Sequence, residues 1–429
     1  MKDHPLIDLR HRHLASGGGT VAVCSAHPMV LRTAMREVRA RDGVLLVEAT
    51  ANQVNQAGGY TGMTPADFAA FIAQMAAAAD LPAERIVLGA DHLGPHVWRH
   101  LTSEPAMTAA MVLTRECVAA GFRKIHLDTA AGCADDHVAD LPVETAAQRA
   151  VRLCRVAEQT AAQQDVPPPC YVIGTEVPVP GGGLEASQPQ VRVTRADDLF
   201  SMLDTFAAAF RRAGLSAAWE RVLAVVVQPG VDFGDRRIAS YRPEAARALA
   251  AAHDRLPGAM TFEVHAGDYQ TGAALTQMIE DHFAIVKIGP CLTFALREVL
   301  YALSQIEASW PGLRFCSQLP QVMETLMLER PQYWQNHYRG TYEEQRFLRH
   351  FSFRDRIRYY WSDPAAMQAV NRLMQNLHRP FPAALVRQFL PDLFPDMPPG
   401  TVDSDPRDLI LRRLRGVLAP YLDAYAGAP

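Results

Sequence analysis

The feature that most constrains this chain is a repeated change of period. Eight short β-rich runs alternate with longer Ala/Leu/Arg-rich stretches of helical character. The runs are TVAVCSAH (20–27), VLLVEAT (44–50), RIVLGADH (85–92), KIHLDTA (124–130), YVIGTEV (171–177), VLAVVVQPG (222–230), TFEVHAG (261–267) and AIVKIGP (284–290). Between them lie segments such as 65–80 and 144–164, and 292–309 reads as the eighth helix. Apolar strands separated by helices specify a parallel sheet covered by helices. Eight such units in about 300 residues match a closed (β/α)₈ TIM barrel. An open doubly wound sheet is the alternative, but it usually has fewer strands and a glycine fingerprint after the first. That fingerprint is missing: SGGGT (16–20) precedes the first strand, and PGGG (180–183) has neither dinucleotide nor P-loop spacing. Both read as loops.

The expected barrel spans 15–310, with a mostly helical extension, 311–429, packed on it. The extension opens on an aromatic, arginine-rich stretch (330–361) and passes through a proline-rich connector (390–408). Such a stretch serves either an interface or packing against the barrel's own helices. The net charge of −4 is small and mixed along the chain, which argues against nucleic acid or an anionic membrane as partner. No apolar run approaches the ~20 residues of a membrane span, and seven scattered cysteines without a CxxC read as reduced thiols. The cytoplasm is the expected compartment.

In a TIM barrel the reactive groups stand at the carboxyl ends of the strands. The ends of these eight runs supply His27, Glu48, Asp91 with His92, Asp128, Glu176, Gln228, His265 and Lys287. A lone histidine at a strand end is usually a hydrogen-bonded rim residue, and Glu176 alone could cap a loop. Convergence on one mouth gives the set its meaning. His92, Glu176 and His265 come from the third, fifth and seventh strands. Two imidazoles and a carboxylate suit a divalent ion, zinc first, manganese or magnesium as alternatives. Asp91 faces away from His92 if the strand stays regular, but reaches inward if the strand end kinks. It is then an acid/base candidate, with a role holding an imidazole as the competing reading.

CSAHP (24–28), NQVNQAGGYTGMTPADF (52–68), GADHLGP (89–95), GFRKIHLD (121–128), YVIGTEVPVPGG (171–182), DHFAIVKIGP (281–290) and DRIRYYW (355–361) together resemble the GatZ/KbaZ proteins over essentially the whole chain. The resemblance implies a Z subunit of tagatose-1,6-bisphosphate aldolase, supporting a separate class II catalytic subunit. Relatives are linked to sugar 4-epimerase activity. Some members carry a tagatose-6-phosphate kinase label, but no nucleotide motif accompanies it here. More distantly the chain is similar to catalytic class II aldolases, whose Asp-His pair matches Asp91-His92 and whose histidine ligand at the seventh strand matches His265. At the fifth strand those enzymes have a histidine where this chain has Glu176. Near their phosphate-binding serine stands Asp268, whose carboxylate would repel phosphate.

Two functions are therefore expected. One is a metal-dependent ketohexose, or ketohexose 6-phosphate, 4-epimerase of the tagatose/fructose type. The other is a non-catalytic supporting subunit of the class II aldolase. In a 2-ketohexose the hydrogens beside the carbonyl are on C1 and C3, so enolisation does not reach C4. Inversion there requires oxidation, for which no nicotinamide motif is present, or breakage and re-formation of the C3–C4 bond. Asp91 and Asp128 would act as acid/base groups, one for each face. His27, Glu48, Gln228, Asp268 and Lys287 would bind hydroxyls or a terminal phosphate, a structural salt bridge being the competing role for Lys287. The expected partners are the sugar, the aldolase subunit under the second reading, and other copies of the chain.

Overall fold

The computed structural model describes residues 4–41, 43–136, 141–176, 181–184, 191–310, 315–396, 400–402 and 405–427. Eight parallel strands close into a barrel: β1 Thr20–Val23, β2 Leu45–Thr50, β3 Ile86–Leu93, β4 Lys124–Leu127, β5 Cys170–Ile173, β6 Val222–Val227, β7 Thr261–Val264 and β8 Ile285–Ile288. Each expected strand is present and neighbours the next in sequence. The ring is sealed where β1 pairs with β8, Val21 opposite Val286. The strands are buried on both faces, which is why they read as Val/Ile/Leu runs without alternation. Their paired portions stop earlier than the sequence suggests, β1 at Val23, β5 at Ile173 and β7 at Val264.

Alanine-rich helices pad the outside, among them Pro65–Ala78, Val143–Gln163 and Pro290–Ser309. The floor is closed by the N-terminal segment leading into the helix Leu9–Ser16. Leu6 and Leu9 pack against Leu46, Val87, Val172, Val226 and Ile285 inside the barrel. His4 holds this plug in place through a 3.0 Å contact from Nε2 to the carbonyl of Arg123, just ahead of β4.

The extension is helical, with Leu319–Glu329, Tyr342–Phe351, Pro364–Asn376 and Pro406–Tyr425 as its main elements. The aromatic, arginine-rich stretch is divided between core and surface: Trp334, Tyr338, Arg349, Ile357, Tyr360 and Trp361 are buried, while Arg330, Arg339, Tyr342, Arg346, Phe347 and Phe351 are exposed. Its buried half packs inside the protein, and the exposed half leaves Tyr342, Phe347 and Phe351 on the surface. The last helix lies against the helices Pro28–Arg39, Gly272–Glu280 and Pro290–Ser309. Tyr421 Oη donates to the carbonyl of Gly267 (3.0 Å), Tyr425 Oη to that of Phe283 (3.0 Å), and Gly19 N to the carbonyl of Tyr425 (2.8 Å). The bonds of Tyr425 and Gly19 sit at the β1–β8 seam, and that of Tyr421 lies just past β7. All seven cysteines are free, and among the described residues no helix is long and apolar enough to cross a membrane.

Leu9 is 2% exposed in the floor. Truncation to alanine leaves a cavity the barrel closes poorly, so Leu9→Ala should cost about 2–5 kcal/mol in denaturant unfolding. A cost near zero would mean that the plug does not seal the barrel.

Candidate active site

The site begins below the mouth, in the barrel's interior layers. Glu48 on β2 and Lys124 on β4 reach each other across β3 because Gly89 stands between them: a Cβ there would lie 2.7 Å from Glu48 Cγ. Lys124 also pairs with Glu263 on β7 at 2.7 Å. Lys287 on β8 pairs with Glu48 at 2.8 Å, with Asp91 closely, and with Glu263 at 3.6 Å. Burial alone would lower the Lys287 ammonium, but Asp91, Glu48 and Glu263 outweigh it and hold the pKa well above its usual value. Two lysines thus bind three carboxylates in one fully buried network.

Above this layer the strand ends turn the reactive groups inward. The pairing of β3 with β4 shifts register between Ala90 and Leu93, and His92 takes a left-handed φ of 53°. A non-glycine residue there is strained by about 1–3 kcal/mol. The kink lets Asp91 and His92, adjacent in sequence, both face the mouth. Gly94 completes the turn by passing against the backbone of Asp128, where a Cβ would lie 1.6 Å from the carbonyl oxygen.

Asp91, His92, His126 and His265 come together here, each buried, with one potential ligand atom apiece within 4.8 Å of the others. The three imidazoles meet edge to face with centroids 4.9–5.2 Å apart. Each ring has one nitrogen held by a carboxylate. Asp128 Oδ2 contacts His92 Nδ1 at 2.7 Å, Asp91 Oδ1 contacts His126 Nδ1 at 2.9 Å, and Glu263 Oε1 contacts His265 Nε2 at 3.0 Å. A carboxylate beside one nitrogen of each ring orients it, the pattern that positions metal-binding histidines; His126 Nδ1 also accepts from His92 N at 3.3 Å, and His92 Nε2 lies 3.4 Å from Asp91 Oδ2. Among the described residues His126 Nε2 is buried with no hydrogen-bond partner, as an imidazole awaiting an ion would be. Burial and Lys287 push His265 down to about 3, outweighing Glu263, so its ring is neutral and able to coordinate. Three imidazoles and a carboxylate fit zinc or a similar divalent ion.

The groups expected from sequence fall into two sets. Asp91, His92, Asp128, His265 and Lys287 converge as expected, and Asp268 lines the same cavity. Asp128 acts on His92: burial would raise its carboxyl, but the hydrogen bond and charge of His92 hold it at about 2. The metal trio of His92, Glu176 and His265 does not assemble. Glu176 lies three residues past the end of β5, is exposed, and accepts a hydrogen bond from Thr194 Oγ1; His126 stands in the ligand group instead. His27 lies four residues past β1 and caps the helix Pro28–Arg39, its Nδ1 accepting from Met29 N at 3.2 Å. It borders a neighbouring apolar cavity of about 420 Å³, and burial lowers it to about 4. Gln228 folds onto its own turn, Oε1 accepting from Gly230 N (2.7 Å) and Val231 N (2.9 Å). Glu48 lies beneath the cavity, sealed by the two lysines. In the glycine loop, Gly181 and Gly182 line the mouth, while Pro180 falls outside the described residues.

Lys124, His126 and Glu263 were missed because they stand within strands. A signal was available: Lys124, His126 and Asp128, like Glu263 and His265, follow the period of two that marks one face of a strand.

With this geometry in view, the comparisons with known proteins are decisive for the family. Residues 6–426 match the family model described as D-tagatose-1,6-bisphosphate aldolase subunit GatZ/KbaZ-like. The chain belongs to the GatZ/KbaZ-like family. A GatZ/KbaZ-like structure from Sinorhizobium meliloti 1021, described as a probable tagatose 6 phosphate kinase, is 41% identical, covers 95% of this chain and 100% of its own, and superposes with a TM-score of 0.84. Two aldolases lie much further off. The YdjI aldolase from Escherichia coli K12 is 10% identical (TM-score 0.38, 86% of this chain, 98% of its own). The fructose-bisphosphate aldolase of Campylobacter jejuni is 13% identical (TM-score 0.42, 86% and 93%).

Two substitutions probe how this GatZ/KbaZ-like site is built. Gly94→Ala should separate the ends of β3 and β4 and lower stability by about 1–3 kcal/mol, read by denaturant melts. Lys124→Met leaves two buried carboxylates short of a partner and should cost about 3–5 kcal/mol. Wild-type stability in either variant would contradict the packing described.

Proposed function

We propose that this protein is a divalent-metal-dependent ketohexose 4-epimerase of the tagatose/fructose type, working by retro-aldol cleavage and re-addition. The observation that carries the reading is the group of three carboxylate-oriented imidazoles beside Asp91, with His126 Nε2 left unpartnered among the described residues. The family's name attaches it to an aldolase acting on tagatose-1,6-bisphosphate, and cleavage of C3–C4 is the step common to such an aldolase and a C4 epimerase.

His92, His126 and His265 would hold the ion, zinc first. A divalent ion there would polarise the C2 carbonyl and stabilise the negative charge that develops as C3–C4 breaks. Asp91 accepts the proton of the C4 hydroxyl. Burial would raise its carboxyl, but His92, Lys287 and the His126 hydrogen bond hold it well below the usual range, so it is ionised and ready. As C3–C4 breaks, the C4 oxygen becomes the aldehyde oxygen. The aldehyde turns, presents its other face, and takes the proton back from Asp91 as the bond re-forms. Asp128 works through His92, in place of the acid/base role first expected of it. The Sinorhizobium relative is described as a probable kinase, but this sequence has no nucleotide motif.

The competing reading, a supporting subunit for a class II aldolase, draws on the family description, which names a subunit. Under it, the chain would bind such an aldolase and raise its activity equally well as wild type and as Asp91→Asn. Size-exclusion chromatography at micromolar concentration with the partner, followed by an aldolase assay, separates the two readings.

For the epimerase, purified protein with Zn²⁺, Mn²⁺ or Mg²⁺ should interconvert fructose and tagatose or their 6-phosphates. Asp91→Asn should cut turnover by about 10²–10⁴-fold without unfolding the chain. In heavy water no deuterium should enter C4. Uptake at C4, or no epimer with any metal and sugar, refutes the mechanism. Elemental analysis gives an independent check: His126→Ala should lose the metal, whereas Glu176→Gln should retain it.

A further inference from the structure

The extension contributes a cation to the mouth of the barrel. Arg358 lines the same cavity as Asp91, His92, His265 and Lys287, although it lies in the 3-10 turn Arg356–Tyr360, far along the chain. The other side-chain cation there, Lys287, is bound to three carboxylates, and the imidazoles of His92 and His265 are held by Asp128 and Glu263. Arg358 differs. Its Nη1 donates to the carbonyls of Arg354 and Asp355 (the latter at 3.0 Å) and its Nη2 to Tyr359 Oη at 3.0 Å, while among the described residues no carboxylate forms an ion pair with it. Asp355 and Asp268, the acids whose charges act on it, already use their oxygens elsewhere, Asp355 on Thr293 Oγ1 (2.6 Å) and Arg297 Nε (3.4 Å), Asp268 on the amides of Gly289 (2.9 Å) and Cys291 (2.8 Å). The Asp355 bonds, with Tyr269 Oη to the carbonyl of Phe353 at 2.7 Å, anchor the turn to the barrel. The guanidinium is held in place, partly buried, and opposite the glycine loop, where a Cβ on Gly181 would come within 2.7 Å of Nη2.

The other place for an anion is already filled. In this fold the loops after the seventh and eighth strands and a helix N-terminus commonly bind phosphate. Here Asp268 puts its own carboxylate there, Oδ1 accepting from Gly289 N at 2.9 Å and Cys291 N at 2.8 Å. A phosphate would have to displace it and then meet its charge.

We propose that Arg358 receives a single terminal anionic group of the substrate, a phosphate monoester or a carboxylate, and that Asp268 closes the site to a second. This deepens the sugar reading above and rests on it, naming the substrate as a ketose with one terminal anionic group and the extension as part of the site. A guanidinium suits either anion through paired N–H donors.

Calorimetric titration of the full-length protein with Zn²⁺ present tests this. The probes are fructose, fructose 6-phosphate, its 6-carboxylate analogue and fructose 1,6-bisphosphate. The 6-phosphate or the 6-carboxylate should bind about 10–100-fold tighter than fructose, the preferred one identifying the anion. Arg358→Met should erase that advantage, taken as the ratio of anionic-sugar to fructose affinity measured within that variant, with Arg358→Lys restoring part of it. The bisphosphate should bind no better than the monophosphate until Asp268→Ser frees the helix terminus. An anionic sugar binding no tighter than fructose, or an advantage that survives Arg358→Met, overturns the proposal. Because affinity is the readout, missing epimerisation with this binding pattern intact would refute the reaction and still support the site.

Discussion

Everything at the mouth of this barrel depends on a buried exchange of charge beneath it. Removing a lysine or a carboxylate from water costs several kcal/mol per ion even after relaxation, so such groups persist inside only when each touches its opposite. Lys124 and Lys287 satisfy that condition with Glu48, Glu263 and Asp91. The network also transmits position. Lys287 fixes Asp91, Asp91 orients the ring of His126, and Glu263, held by Lys124, orients His265. The ring nitrogens that converge on one point are aimed from below by ion pairs.

The strand geometry supplies the second ingredient. A regular β3 would place Asp91 and His92 on opposite faces. The register shift and the left-handed His92 put both at the mouth, and Gly94 allows β3 to approach β4 closely enough for Asp128 to reach His92. The local strain is tolerated because the pairings on both sides over-determine it.

How far the sequence could be read followed from where each residue sits relative to the ladder. The eight strands were legible because a parallel sheet covered on both faces demands continuous apolar runs. Asp91, His92, His265 and Lys287 were legible because they lie within or just beyond the paired residues, where the ladder dictates direction. Glu176 and His27 lie three and four residues beyond it, and there loop and cap bonding decides where the side chain goes. Lys124, His126 and Glu263 were hidden by their position inside strands otherwise read as apolar. Arg358 had no local signal, since only tertiary packing brings the turn Arg356–Tyr360 over the mouth.

The last helix has a bearing on how the chain comes to be made. Pro406–Tyr425 bonds to the residues flanking the β1–β8 seam, through Tyr425 Oη and the amide of Gly19, and to the turn after β7 through Tyr421. On a ribosome, domains that form from contiguous sequence fold as they emerge. Here the first strand must wait for the eighth, and the seam for a helix that leaves the exit tunnel later still. The barrel and its extension are therefore one unit of synthesis. Until that helix arrives, the edges of β1 and β8 are the unpaired backbone that a chaperone, or another nascent copy, would find first.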